Sequence, residues 1–289
     1  MDQIRVSPIT AWLDRALYPR HGDRWDDELF RAAVLERLAP DSRVLDLGAG
    51  RGVVRQMDVR GCAGRVCGVD PDGRVLENPQ LDEARIGTGE AIPYPDGTFD
   101  VVFADNVLEH LAEPPATFRE VRRVLKPGGV FLVKTPNRRH YVPTIARITP
   151  QSFHRRVNRR RGRDDADTFP TLYRANTPRA LERLAGNAGL DVRHIRLIEG
   201  RPEYLRTFWP LYPLGWLYER LVNGVPGLSG FRVVMIAVFE RAAADAAPLV
   251  DGCAKAASGG HSPRNRNFTA SAQSCARAAS GGHSPPYGV

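Results

Sequence analysis

Apolar positions along this chain recur with two different periods. In residues 25–38 (WDDELFRAAVLERL), Leu29, Ala32, Ala33, Leu35 and Leu38 fall near one face, acids fill the first turn and Pro40 follows. That pattern predicts an amphipathic helix. Residues 43–47 (RVLDL), 66–69 (VCGV), 99–103 (FDVVF) and 130–134 (VFLVK) are instead short β-branched or aromatic runs bounded by Gly, Asp or Pro. Their near-continuous apolarity predicts strands covered on both faces. Residues 115–125 (PATFREVRRVL) predict a helix with Phe118, Val121 and Leu125 on one side, stopped by Lys126-Pro127-Gly128-Gly129. Residues 177–188 predict another capped helix, and 190–197 and 231–239 read as late strands. This alternation of helix and strand predicts an α/β fold with a mainly parallel sheet.

The pattern stops near Ala242. Beyond it the chain is Ala, Ser, Gly and Pro, with Phe268 and Tyr287 as its aromatics, and CAKAASGGHSP (253–263) returns as CARAASGGHSP (275–285). Such a stretch has too little apolar area to offset the entropy of ordering, so 242–289 is expected to be a disordered tail and 1–241 one folded domain. His261, His283 and the tail cysteines are read as passengers of the repeat and not as metal ligands. With 42% hydrophobic and 26% charged residues the 289-residue chain falls in the globular range. No window approaches the roughly 18 apolar residues of a membrane span, and Met1-Asp2-Gln3-Ile4-Arg5 leads into no apolar stretch, so a soluble, cytoplasmic protein is expected. Four irregularly spaced cysteines, without a C-x-x-C pair, are expected to be free thiols.

The candidate chemistry centres on Val44-Leu45-Asp46-Leu47-Gly48-Ala49-Gly50-Arg51-Gly52, a buried strand, an acid and three glycines at alternate positions leading into a helix. Glycines let the backbone turn tightly and let a ligand approach main chain that carries no Cβ. A dinucleotide fingerprint would read G-x-G-x-x-G and aim a helix N-terminus at a pyrophosphate. Here the spacing is G-x-G-x-G beside Asp46, and an acid suits a ligand ammonium better than a phosphate. A cationic, phosphate-free nucleoside is the preferred ligand. Asp70, at the end of the next strand, is placed to accept both hydroxyls of a ribose. Two further anchors are Gly89-Glu90-Ala91 and Asp105-Asn106-Val107-Leu108-Glu109-His110.

In order and spacing, residues 43–137, including FREVRRVLKPGGVFLVKTPN from Phe118, resemble class I S-adenosylmethionine-dependent methyltransferases, specifically the UbiE/Coq5-like, "methyltransferase 11" small-molecule branch. The resemblance implies a Rossmann-like fold: a seven-stranded, mostly parallel sheet with the last strand antiparallel and helices on both faces. It implies S-adenosylmethionine as cofactor, with Asp46, Gly48, Gly50 and Gly52 at its methionine portion and Asp70 at the ribose. Glu90 then meets the adenine amino group, with Ile92 or its neighbours over the ring, while Asp105, Asn106, Glu109 and His110 face the sulfonium and acceptor. His110 is a candidate general base beside Glu109, or the pair structures the pocket. Relatives with E-x-x-E-H at this point can bind a divalent metal; Asn106 replaces the first Glu here, and no metal is expected.

Charge narrows the acceptor. The net charge of +8 traces to residues 134–163, which carry ten Lys or Arg and no acid. With the loop after the fifth strand as part of the substrate side (about 136–176), this run suits an anionic small molecule, or RNA along a phosphate track. The absence of an N-P-P-Y tetrad after the fourth strand disfavours amino-nitrogen base methylation by that route. A second insertion (200–230) is rich in aromatics and leucines. It is expected to be a buried cap over the pocket, or else a peripheral membrane contact through 202–230 that serves a lipid-linked acceptor. The expected activity is O-methylation of a small-molecule or lipid-linked glycan or secondary metabolite. The alternatives are RNA methylation and a non-catalytic cofactor-binding scaffold.

Overall fold

The computed structural model describes residues 6–19, 21–22, 24–148 and 170–243. Most of the basic segment and the repeat-bearing tail lie outside these residues. Two helices lead in, α1 (Pro8–Leu17) and α2 (Trp25–Leu35), followed by β1 (Arg43–Leu47), β2 (Arg65–Asp70), β3 (Glu83–Ile86) and β4 (Phe99–Asp105). Then come α3 (Pro114–Val124), β5 (Leu125–Pro136), α4 (Tyr141–Ile148), α5 (Pro178–Ala188), β6 (Leu190–Ile198), α6 (Tyr212–Gly224) and β7 (Val234–Arg241). The seven strands form one sheet in the order β3-β2-β1-β4-β5-β7-β6. β7 runs antiparallel to both β5 and β6, and the pairs among β1 to β5 are parallel. This is the expected class I methyltransferase topology.

Alternation along the strands divides the core in two. Leu45, Leu47, Val102, Phe131 and Phe239 pack with Phe118 and Val121 of α3 and Leu181 and Leu184 of α5. Val44, Val101, Phe103 and Leu132 pack on the other face with Phe30 and Val34 of α2. Thr177 caps α5 by accepting the Ala180 N–H at 3.2 Å, and Gly189 closes that helix at φ +73°.

The structure corrects three readings. The glycine loop does not lead into an α-helix: between β1 and β2 lies a single 3-10 turn, Arg55–Met57. Gly48, Gly50 and Gly52 all have positive φ, which a right-handed helix cannot include, and two β-branched valines follow. Lys126-Pro127-Gly128-Gly129 ends α3 as expected but already belongs to β5, where Leu125 pairs with Phe99 before the strand bulges. Finally, Cys67 is a buried free thiol, whereas Cys62, half-buried in the turn before β2, is disulfide-bonded and so not the free thiol expected.

Candidate cofactor and acceptor site

Parallel strands bring their C-terminal ends to one edge, and register decides which side chains meet there. Asp46 pairs with Gly68 and Phe103, Asp70 with Ile86, and Asp105 with Lys134. Three acids of the sequence reading, Asp46, Asp70 and Asp105, therefore crown β1, β2 and β4, neighbours in the sheet.

The glycine loop is held from β2 and the segment after it. Gly48 and Ala49 donate their N–H groups to the Val69 carbonyl at 2.8 and 3.3 Å. Gly50 N–H donates to Asp70 Oδ2 at 2.9 Å, while Asp70 Oδ1 accepts the Asp72 N–H at 2.8 Å. Asn78 Nδ2 donates to the carbonyls of Ala49 and Gly50 at 3.0 and 3.1 Å, and Gln80 Nε2 to that of Gly52 at 2.9 Å. These side chains supply the support that the missing helix would have given. The three glycines serve different ends. A Cβ at Gly48 would lie 2.3 Å from Val107 Cγ2, and one at Gly52 would lie 2.2 Å from Asn78 Oδ1. At Gly50 a Cβ would meet nothing within 4 Å, so that glycine opens outward over bare main chain.

Asp46 is buried, and its carboxyl is held well above the ordinary carboxylate range by burial first and then by the charges of Asp105 and Asp70. Asp105 is pushed up to about 6, chiefly by burial, with Lys134 opposing and Asp27 and Asp26 adding to the shift. Asn106 sits at φ +54°, exposed, with its amide donating to Asp105 Oδ1 at 2.8 Å and its N–H to the Lys134 carbonyl at 2.8 Å. Asparagine tolerates this left-handed geometry better than most residues.

Lys134 departs from the sequence reading. Counted there with the cations that would meet an anionic acceptor, it is wholly buried. Its Nζ contacts Asp27, lies 3.0 Å from Asp105 Oδ1 and 3.4 Å from Asp26 Oδ2. The acids that looked like ordinary first-turn residues of α2 thus reach the sheet edge. The signal was present as a lysine ending an otherwise apolar strand, VFLVK, but its partners are 107 positions away for Asp27.

Glu109 and His110 differ in their surroundings. Glu109 is buried, its Oε2 accepting the Thr135 hydroxyl at 3.0 Å, and Asn176 Nδ2 donates in turn to Thr135 Oγ1 at 2.6 Å. Burial raises its pKa. The Glu109 carbonyl also accepts the N–H groups of Leu172 and Tyr173. His110 Nδ1 lies 2.9 Å from the Pro170 carbonyl. A carbonyl only accepts, so Nδ1 carries the proton and Nε2 is the basic nitrogen of the neutral ring. Glu90 is half-buried in the loop that the Thr88–Ala91 bridge closes. Ile92 is packed into the core, which removes it as a cover for a ligand ring and leaves its exposed neighbour Ala91.

Open main chain over Gly50, flanked by carboxylates without a matching excess of cations, fits a zwitterionic nucleoside that brings positive charge. Residues 20–195 match the sequence model of the methyltransferase domain family. The chain belongs to this S-adenosylmethionine-dependent family. Its relatives include the Mycolicibacterium smegmatis protein named "Probable S-adenosylmethionine-dependent methyltransferase", 40% identical over 39% of this chain and 45% of that one. The demethylmenaquinone methyltransferase of Symbiobacterium thermophilum is 35% identical over 32% of this chain and 42% of that protein. The sterol 24-C-methyltransferase of Aspergillus fumigatus is 26% identical over 58% and 45%. The matches thus span less than half the length of these curated relatives. Among solved structures, a geranyl diphosphate methyltransferase is similar at 17% identity, over 75% of this chain and 78% of that chain, with TM-score 0.47. The [4+2]-cyclase SpnF is similar at 17% identity, over 77% and 83%, with TM-score 0.49.

Proposed function

We propose that the chain is an S-adenosylmethionine-dependent methyltransferase acting on an oxygen of a small-molecule or lipid-linked glycan or secondary metabolite. The observation that carries the cofactor assignment is the convergence of Asp46, Asp70 and Asp105 around a glycine loop whose Gly50 faces open space. When bound, the cofactor supplies a methyl group on a sulfonium, with a neutral thioether as leaving group.

The chain's own residues bind, orient and move a proton. Asp46 and the loop glycines hold the methionine portion, Asp70 the ribose, and Glu90 the adenine amino group. Asp105, braced by Lys134 and Asn106, keeps negative charge beside the sulfonium. His110 Nε2 would accept the proton of an acceptor hydroxyl when that hydroxyl is methylated. Because the leaving group is already good, alignment of acceptor, methyl and sulfur supplies most of the acceleration. Glu109, tied to Thr135, is a positioning residue for the segment that carries His110. The anionic side of the acceptor is assigned to the basic run 134–163 after Lys134, and the 202–230 segment to the face that meets a membrane.

Calorimetry with S-adenosylmethionine tests the cofactor assignment: binding is expected, and Asp70→Ala is expected to weaken it at least tenfold, about 1.4 kcal/mol. An absence of binding, or an affinity indifferent to Asp70→Ala, would sink it. Salt-sensitive binding to RNA would instead favour the nucleic-acid alternative.

A further inference from the structure

The helix α6 buries Tyr212, Gly215, Glu219 and Val222 and turns its leucines outward. Its inner face presents Tyr212 and Glu219, both buried: Tyr212 O–H donates to Asp14 Oδ1 at 2.8 Å, and Glu219 accepts from Tyr18 O–H at 3.0 Å and from Asn223 Nδ2 at 2.7 Å. Arg206 extends this polar seam, donating to Asp14 at 2.6 Å and to Glu203 at 2.8 Å. The leucines point the other way. Leu214, Leu217 and Leu221, spaced three and four apart, line the outward face and are 59%, 48% and 46% exposed. Phe208, Trp209 and Leu211, in the turns just before the helix, are exposed as well. The sequence reading of a buried apolar cap is therefore corrected: the cap is anchored by polar contacts, and its apolar side faces out.

Apolar faces of this kind mark a binding surface, and charge selects its occupant. Between Thr207 and Phe231 the sequence has one carboxylate, Glu219, and that one is buried. Arg220 is half-exposed on the helix, although it also lies 3.4 Å from Glu219. Exposed Arg139 sits 3.9 Å from the position of a Cβ on Gly230. Asn137 ties the start of the acid-free run to the end of this unit through the carbonyls of Gly230 and Arg232, both at 2.8 Å. The run continues through eight further Lys or Arg after Asn137 besides Arg139 itself, from Arg138 to Arg163. A second copy of the chain would bring the same cations face to face in an isologous pair. The chain's own tail, with Phe268 and Tyr287 as its aromatics, has little apolar area to offer.

We propose that the outward face of α6 and the preceding Phe208–Leu211 turn dock on a bilayer containing anionic lipid, with the leucines and aromatics entering the acyl boundary and Arg139 and Arg220 meeting the headgroups. Docking stands on this surface alone; its consequence, an acceptor drawn from the bilayer, rests on the methyl-transfer reading. His140, at the start of α4, stacks edge-on to Tyr218 of α6 at 5.4 Å, so the docking helix adjoins the segment that leaves the C-terminal end of β5.

The test is sedimentation of the full chain with phosphatidylcholine vesicles, with and without phosphatidylglycerol. Binding to the anionic vesicles that weakens with salt is expected, with about a tenfold or greater loss for Leu217→Glu/Leu221→Glu and for Leu214→Glu. All three positions are exposed, so the thermal midpoint should not move. No vesicle binding, equal binding by wild type and both variants, or a wild-type dimer that these substitutions dissolve without any vesicle binding would overturn the proposal. Calorimetry with S-adenosylmethionine on the same variants separates the two readings, because unchanged cofactor affinity alongside lost sedimentation concerns the bilayer alone.

Discussion

Asp105 and Lys134 are register partners on β4 and β5, and Lys134 Nζ lies 3.0 Å from Asp105 Oδ1 without any solvent exposure of its own. With Asp26 and Asp27 completing the cluster, one buried cation joins the first turn of α2 to the edge where the cofactor is proposed to bind. A buried charge needs such partners, because the loss of hydration is otherwise not recovered.

Lys134→Met should therefore destabilise the fold by about 3–5 kcal/mol, since it strands Asp27 and Asp105. Urea unfolding measures this, and a midpoint within experimental error of wild type would show that the cluster does not hold the fold.

The pH dependence of stability follows from Asp105. Its folded pKa of about 6 lies above the ordinary value of 3.8, so between these values the folded chain binds more protons than the unfolded one. Its contribution is fully present below about pH 4 and is lost as pH rises to about 6. Compared with wild type, Asp105→Asn should remove that falling component from a plot of thermal midpoint against pH; parallel curves across this window would contradict the assignment.

Cofactor binding should release a proton. Burial and then the charges of Asp105 and Asp70 raise the Asp46 pKa well above the ordinary carboxylate range, and a cationic ligand opposes that shift. Calorimetry in two buffers of different ionisation enthalpy should detect the release, with affinity rising as pH rises above the ordinary carboxylate range. Asp46→Asn should abolish the buffer dependence.

The glycines distinguish ligand contact from packing. Gly50→Ala should cost about 1–2 kcal/mol of stability from its φ of +49° while strongly weakening cofactor binding, because its Cβ enters only open space. Gly52→Ala should instead unfold more readily, its Cβ colliding with Asn78. Equal cofactor affinity in wild type and Gly50→Ala would place the ligand elsewhere.

His110 and Glu109 should separate in the same way. His110→Ala should slow single-turnover methyl transfer about 10²–10⁴-fold at unchanged cofactor affinity. Glu109→Ala should act mainly on stability, by about 1–3 kcal/mol, because the buried Thr135 hydroxyl loses its acceptor. A stable Glu109→Ala protein with rate loss equal to that of His110→Ala would assign Glu109 to the chemistry.

Much of this architecture was legible in the chain. β1, β2, β4 and β5 announced themselves as apolar runs because both faces of those strands are covered. Asp46, Asp70 and Asp105 could be placed at strand ends because a strand, an acid and a turn are local facts. β3 was less legible: its sequence EARI carries charges and its residues are half-buried or exposed, as befits an edge strand covered on one side. The helix α1 went unread, since its buried residues include Thr10 and Asp14, whose partners lie 196 and 192 positions away at Arg206.

By itself the sequence determined the alternation of elements, the glycine loop and the acids that follow each strand, all set by spacing within a few residues. Tertiary structure alone decided that Lys134 turns inward to Asp26 and Asp27, that Asn78 and Gln80 support the glycine loop from behind, and that α6 buries Tyr212 and Glu219 while its leucines face out. Hydrophobic pattern states which residues leave water most readily, but not which polar groups will find partners far along the chain. Where the distant Asp14 and Tyr18 satisfied Tyr212 and Glu219, those two side chains could go in and the leucines of α6 were left facing out.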